Sequence, residues 1–281
     1  HRIGPRPLRA GVAEGQDRAV SIDLNADLGE GDGPWRQGPV PDEELLALVT
    51  SANVAAGFHA GDPLLVARTC AHAVRRGVAI GAHPSYDDRD GFGRRRVEVA
   101  PAVLTAQVLY QLGAVAALAR SVGGAMTHVK PHGALYNRIV RDDEQAQAVV
   151  AAVARFDPTL TLVGPPGARV LQLADEAGIP TVREAFVDRG YRPDGTLVPR
   201  GEQGALVTSP VLAGERAVRL AAEGKVVAVD GTVIDVPADS LCVHSDTPGS
   251  IQIARAVRSA LAAAGVAVAP FRAPTAVLRA D

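Results

Sequence analysis

The sequence predicts a single α/β barrel of about seven parallel strands, each followed by a covering helix. Three observations predict it. From residue 20 onward, short β-rich runs alternate with helical runs almost to the C-terminus. The 281 residues suit one barrel of roughly 200–250 residues with short ends. Several strands also place polar residues on alternate positions, whereas a parallel strand covered on both faces should be almost wholly apolar. An open doubly wound sheet is the alternative architecture.

Residues 1–19 show no periodicity and no apolar stretch behind the basic start, so they read as a mobile leader and not as a secretory signal. The barrel is expected over 20–270, with a tail at 271–281. Strands are expected at Val20–Asp27, Ala52–His59, Val78–His83, Met126–Lys130, Leu160–Val163, Thr181–Val187 and Leu241–His244. Asp62-Pro63 opens the first helix with a capping residue and an N1 proline, and Arg75-Arg76-Gly77 closes it. Pro101 opens a long helix ending at Gly123-Gly124, and Thr247-Pro248 opens the last, ending at Gly265. Helices between them follow from apolar spacing over Asp142–Phe156, Gly167–Gly178 and Pro210–Gly224.

The 29 basic and 31 acidic residues nearly cancel, which excludes a broad nucleic-acid footprint. No uninterrupted apolar run reaches the roughly 18 residues of a membrane span. Cys70 and Cys242 stand far apart without CxxC spacing and are expected to be reduced and structural. Together these predict a soluble cytoplasmic protein.

The alternating strand faces carry the functional signal. Asp23, Asn25 and Asp27 share one face; Asn53, Ala55, Gly57 and His59 another; Gly81 and His83 a third. His128 aligns with Lys130, and Cys242 with His244 and Asp246. Leaving that many buried polar groups unpartnered would cost roughly 1–3 kcal/mol each. Their recurrence predicts a polar site inside the barrel toward the C-terminal strand ends, with Asp23, Asn25, Asp27, His59, His83, Lys130 and His244 converging in one cavity. Two long loops, after His83 and after Val187, follow such ends.

Lys130 and Lys225 are the only lysines in an arginine-rich chain, and Lys130 suits charge stabilisation of an oxyanion or phosphate. His128 and His132 have ligand spacing, but Pro131 and Gly133 predict a turn between them. With Asp23, Asp27, His59 and His83 near, a divalent metal is compatible with the set and no ligand group is singled out. The chain has no GxSxG elbow, no Cys–His signature and no P-loop. Ser85 and Ser245 suit hydrogen bonding better than attack.

Several segments, in this order, resemble the LamB/YcsF family: Asp23 to Glu30 (DLNADLGE), Gly57 to Asp62 (GFHAGD), His83 to Tyr86 (HPSY) and Phe92-Gly93-Arg94. His128 to Asn137 (HVKPHGALYN), Asp188 to Tyr191 (DRGY), Leu197 to Arg200 (LVPR) and Val243-His244 complete the set. The resemblance covers about residues 20–270. It departs at Ala56, where the family often has cysteine, and at Ser245, where it often has glycine. It implies a barrel of the glycoside hydrolase/deacetylase superfamily and the ATP-dependent opening of 5-oxoproline to L-glutamate, with ATP as cofactor (magnesium accompanying it). It further implies an A subunit working with subunits B and C. Catalytic roles would fall within Asp23, Asp27, His59, Lys130 and His132. Substrate contacts would come from Asn25, Asp62, His83, His128, Asp188, Arg189, Arg200 and His244. Two other functions compete: a stand-alone metal-dependent amidase or deacetylase, and a non-catalytic subunit that delivers a small acid.

Overall fold

The computed structural model describes residues 21–31 and 42–272. The expected leader and most of the expected tail lie outside the described residues. The elements run in the order β1 (Ser21–Leu28), α1 (Asp42–Leu46), β2 (Ser51–Ala55), α2 (Pro63–Arg76), β3 (Ala79–His83), α3 (Pro101–Ser121) and β4 (Met126–Val129). There follow α4 (Gly133–Arg138), α5 (Asp143–Phe156), β5 (Thr161–Gly164), α6 (Arg169–Glu176), β6 (Thr181–Phe186) and α7 (Pro210–Glu223). The chain continues through β7 (Lys225–Val227), β8 (Val233–Asp235), β9 (Ser240–His244), α8 (Ser250–Ala263) and β10 (Ala267–Val268).

Seven strands pair in parallel in the order β1-β2-β3-β4-β5-β6-β9, and β9 returns to β1, with Asp23 opposite Ser240 and Asp27 opposite His244. The sheet is therefore a closed barrel, as expected. β10 lies parallel to the start of β1, and β7–β8 form an antiparallel hairpin apart from the barrel.

Local chemistry accounts for the joints. Asp62 caps α2 by accepting from the amides of Leu64 and Leu65, and Gly77 ends it in the left-handed conformation (φ 65°). Ser209 and Pro210 open α7 in the same way. One face of each barrel strand packs on the helices: Leu24, Val54, Ile80, Val129, Leu162, Ala185 and Leu241 are buried in that core. α3 is long and apolar enough, by length and composition, to cross a membrane. Here Leu104, Val108, Leu112 and Val115 bury one side of it, and it packs against α5 and β3.

Three expectations need correction. β2 stops at Ala55, because Gly57 turns at φ 93° and its amide bonds back to Ala60 O; His59 therefore sits on a loop. Pro131 and Gly133 do not merely turn the chain, since α4 begins at Gly133 with His132 at its cap position. The last helix begins at Ser250, two residues beyond Pro248, because Thr247 is held by Asp188 (2.7 Å).

Candidate functional site

The inward strand faces form a hydrogen-bonded stack that rises to a cavity at the C-terminal ends. At its base Asp23 accepts from the hydroxyls of Thr50 and Ser51 (both 2.7 Å) and of Ser240. Burial raises the Asp23 carboxyl to about 6 despite these donors. One layer higher, Asn25 donates to Glu184 (2.9 Å) and Ser240 (2.7 Å) and accepts from Asn53 (2.7 Å). His128 reaches Asn53 across the barrel (3.0 Å), through space left by Gly81, where a Cβ would lie 2.1 Å from its Nε2.

Lys130, just beyond β4, is buried between two carboxylates, 2.9 Å from Asp27 and 2.8 Å from Glu184. The Cys242 sulfur lies 3.1 Å from the same ammonium. Burial works against the charge on Lys130, but Asp27, Cys242 and Glu184 outweigh it and hold the pKa well above the usual lysine value. Burial likewise pulls Asp27 upward, and its neighbours His83 and Lys130 outweigh it, so Asp27 stays well below the usual carboxylate range. Tyr136 donates to the other Glu184 oxygen (2.9 Å).

His244 ends β9. Its Nδ1 lies 2.9 Å from Asp188, which also accepts from the His244 amide and from Thr247. Burial opposes ionisation of Asp188, yet His244 and these donors lower it to about 2. An ionised Asp188 can only accept, so Nδ1 carries the proton and Nε2 faces the cavity, 4.0 Å from Asp27.

A second cluster adjoins this one. His83 lies 3.4 Å from Asp27 and 3.0 Å from His132, whose ring stacks on His59 (centroids 3.8 Å apart). Glu30 stands 3.5 Å from His59 and 3.9 Å from His132. Burial, then the charges of Asp27 and Asp246, push the Glu30 carboxyl to about 7. Burial and the neighbouring histidines keep His59 and His132 well below the usual histidine value, hence neutral. Phe92, in the left-handed region at φ 54°, presents its carbonyl to His132, and Arg94 lies over its ring.

The cavity above has a volume of about 840 Å³. Asp27, Lys130, Glu184, His83, His132 and His244 line its floor, and Arg94, Arg189 and Arg200 its mouth. Arg94 and Arg200 share Asp246 (2.7 and 3.1 Å), which leaves that corner with excess positive charge for an anion. Arg189 is held by the carbonyls of Val198 and Ala205 in the loop after β6.

Of the expected site residues, Asp27, His83, Lys130, His132, Arg189, Arg200 and His244 meet at this cavity. Asp188 sits directly behind His244, and His59 directly behind His132. Asn25 and His128 lie one layer below. Asp23 lies at the base of the stack, and Asp62 caps α2, so neither is brought to the cavity. Glu184, Glu30 and Arg94 were not singled out by sequence reasoning, and Asp246 was aligned with His244 but given no role. Glu184 shares its strand face with Val182 and Phe186, and that position was a usable signal. Both cysteines are free and buried, as expected, but Cys242 contacts Lys130 and is part of the site.

Known proteins resemble this chain over most of its length. The model of the LamB/YcsF family matches residues 22–276. A protein of Streptomyces avermitilis, named as the A subunit of 5-oxoprolinase, is 56% identical over 250 residues, 89% of this chain and 99% of that protein. One of Methylococcus capsulatus with the same name is 53% identical over 251 residues, covering 89% and 96%. The crystal structure of a lactam utilization protein from Thermus thermophilus superposes with a TM-score of 0.82 at 46% identity, covering 89% of this chain and all of that one. The chain belongs to the LamB/YcsF family.

Proposed function

We propose that this chain is the A subunit of an ATP-dependent 5-oxoprolinase and opens the lactam of 5-oxoproline to L-glutamate together with subunits B and C. The names of its relatives supply the substrate. The observation that carries the chemistry is a buried ammonium, Lys130, on the floor of the same cavity as a histidine oriented by a carboxylate, His244–Asp188.

A five-membered lactam is a stabilised amide. Phosphorylation of its oxygen by ATP makes the ring carbon electrophilic enough for water to attack. His244 Nε2 takes the proton of that water, because Asp188 already fixes the proton on Nδ1. Lys130 faces the phosphorylated lactam oxygen and the negative charge that its phosphoryl group carries. The carbon–nitrogen bond then breaks and the ring nitrogen leaves as an amine with a proton, giving γ-glutamyl phosphate, which a second water splits into inorganic phosphate and the glutamate side-chain carboxylate. The arginine corner receives the substrate carboxylate or the phosphate. A cytoplasmic location follows from the need for ATP and suits the two reduced thiols.

The test is product formation by the purified chain with and without subunits B and C. Glutamate should appear only in the complete mixture and only with ATP. The histidine cluster favours a second reading, a metal-dependent amidase without partners. Glutamate from the isolated chain without ATP would establish that reading and overturn the first.

A further inference from the structure

Three buried imidazoles aim their unprotonated nitrogens at one point, and the hydrogen bonds behind them fix each tautomer. His83 Nδ1 lies 2.6 Å from the carbonyl of Lys130. A carbonyl can only accept, so Nδ1 holds the proton and the neutral ring keeps its lone pair on Nε2. His132 Nε2 lies 2.8 Å from the carbonyl of Phe92, which leaves the lone pair on Nδ1. The two lone pairs face one another at 3.0 Å.

His59 completes the set. The Ser85 hydroxyl donates to Tyr86 O (2.8 Å), so it accepts from His59 Nδ1 (3.1 Å). His59 Nε2 is then a lone pair, buried and without a hydrogen-bond partner among the described residues. The Glu30 carboxylate lies beside it, and the four ligand atoms fall within 4.8 Å of one another. Such an array of lone pairs is repulsive unless a cation sits among them. A proton shared between His83 and His132 leaves His59 unsatisfied, and one on Glu30 stands 3.5 Å from His59 Nε2, too far for a good hydrogen bond. A metal ion relieves all three.

We propose that Glu30, His59, His83 and His132 bind one divalent first-row transition metal ion of the zinc type. Imidazole-rich sites select such ions over magnesium or calcium. Around a tetrahedral ion with bonds of about 2.0–2.1 Å, ligand atoms stand about 3.4 Å apart. The observed spacings of 3.0, 3.5 and 3.9 Å bracket that value. Each histidine already has the outer partner that metal-ligating histidines use to fix the ring: a carbonyl, a carbonyl and a hydroxyl. Gly93 lets the rings stack, since a Cβ there would lie 2.8 Å from His59 Cβ and 2.9 Å from His132 Cδ2. His83 and His132 line the cavity, so the ion sits in its wall, within reach of a bound carboxylate or carbonyl oxygen.

A second group of ligand-type side chains, Asp27, Cys242 and His244, is excluded by the same reasoning. The Lys130 ammonium already lies against Asp27 and Cys242 and supplies the cation there.

The purified full chain, stripped with chelator and titrated with Co²⁺ alone, should bind one equivalent and develop visible d–d absorption. X-ray absorption of the zinc-loaded protein should show three imidazole nitrogens in the coordination shell. His59→Ala and His132→Ala should lose the equivalent, while His72→Ala, on the outer surface of α2, should keep it. If the alanine variants do not fold, the wild-type titration and its coordination shell decide alone. No stoichiometric uptake, or an ion held by oxygen only, would overturn the proposal. These measurements need neither ATP nor partner subunits, so their failure is distinct from failure of the lactam-opening proposal.

Discussion

Lys130 lies between two buried carboxylates, and replacing it does two separable things. Lys130→Met removes the charge proposed to face the lactam oxygen, and it leaves Asp27 and Glu184 facing each other without a counter-ion. Removing one partner of a buried ion pair costs about 3–5 kcal/mol. The variant should therefore lose turnover and also melt earlier, both measurable in the reconstituted complex and by thermal unfolding. Adding Glu184→Gln should recover much of the stability and none of the turnover. His244→Gln should lower kcat about 10²–10⁴-fold, the usual worth of a positioned base, with a smaller effect on KM. Equal losses in both would point to substrate binding instead. Asp23 provides a pH test away from the chemistry. Its folded pKa of about 6 lies above the ordinary 3.8, so the folded state holds the proton more tightly. Its stabilising contribution is complete below pH about 4 and is lost as pH rises through 6, about 3 kcal/mol in all. Urea unfolding should show Asp23→Asn gaining on the wild type by that order between pH 4 and pH 7. A pH-independent difference would contradict it. Asp27, His83, Lys130 and His244 were legible in the sequence because each continues a strand's inward face. Glu30 was not, because Gly29 turns at φ 74° and breaks the alternation just before it.

The elements were legible where two periodicities met clear punctuation. α2 and α7 match their expected bounds because Asp62-Pro63, Ser209-Pro210, Gly77 and Gly224 mark both ends. β2 was read too far because its alternation runs on through Gly57 to His59, and only the positive φ of Gly57 stops it. The hairpin β7–β8 and the short β10 carry too few residues for any period to register. A strand glycine was the least legible feature and is among the most constrained. Gly81 leaves room for the His128 ring, which is buried and held by Asn53. Gly81→Ala should destabilise the barrel by about 1–3 kcal/mol or more, measured by denaturant unfolding. Because the clash is with one ring, Gly81→Ala with His128→Ala should cost less than the sum of the two single changes. Strict additivity would show that β3 itself, and not the ring, resists the side chain.

At the scale of the molecule, closure of β9 onto β1 makes the polar faces chemically useful. An open sheet would spread Asp27, Lys130, Glu184 and His244 along a surface; the barrel gathers them under one mouth. The barrel was predictable from strand–helix alternation and length, whereas the convergence of mouth arginines on Asp246 was not, because the loops carrying them are aperiodic. A cavity of about 840 Å³ exceeds what one five-membered ring fills, as the proposed reaction with a second substrate requires. The most direct measurement is glutamate formation from 5-oxoproline and ATP by subunits B and C, supplied either with this chain or with its Lys130→Met/Glu184→Gln variant, folded by circular dichroism. The wild-type mixture should form glutamate and the variant mixture none. Wild-type turnover by the variant, or glutamate from subunits B and C alone, would contradict a catalytic role for this barrel.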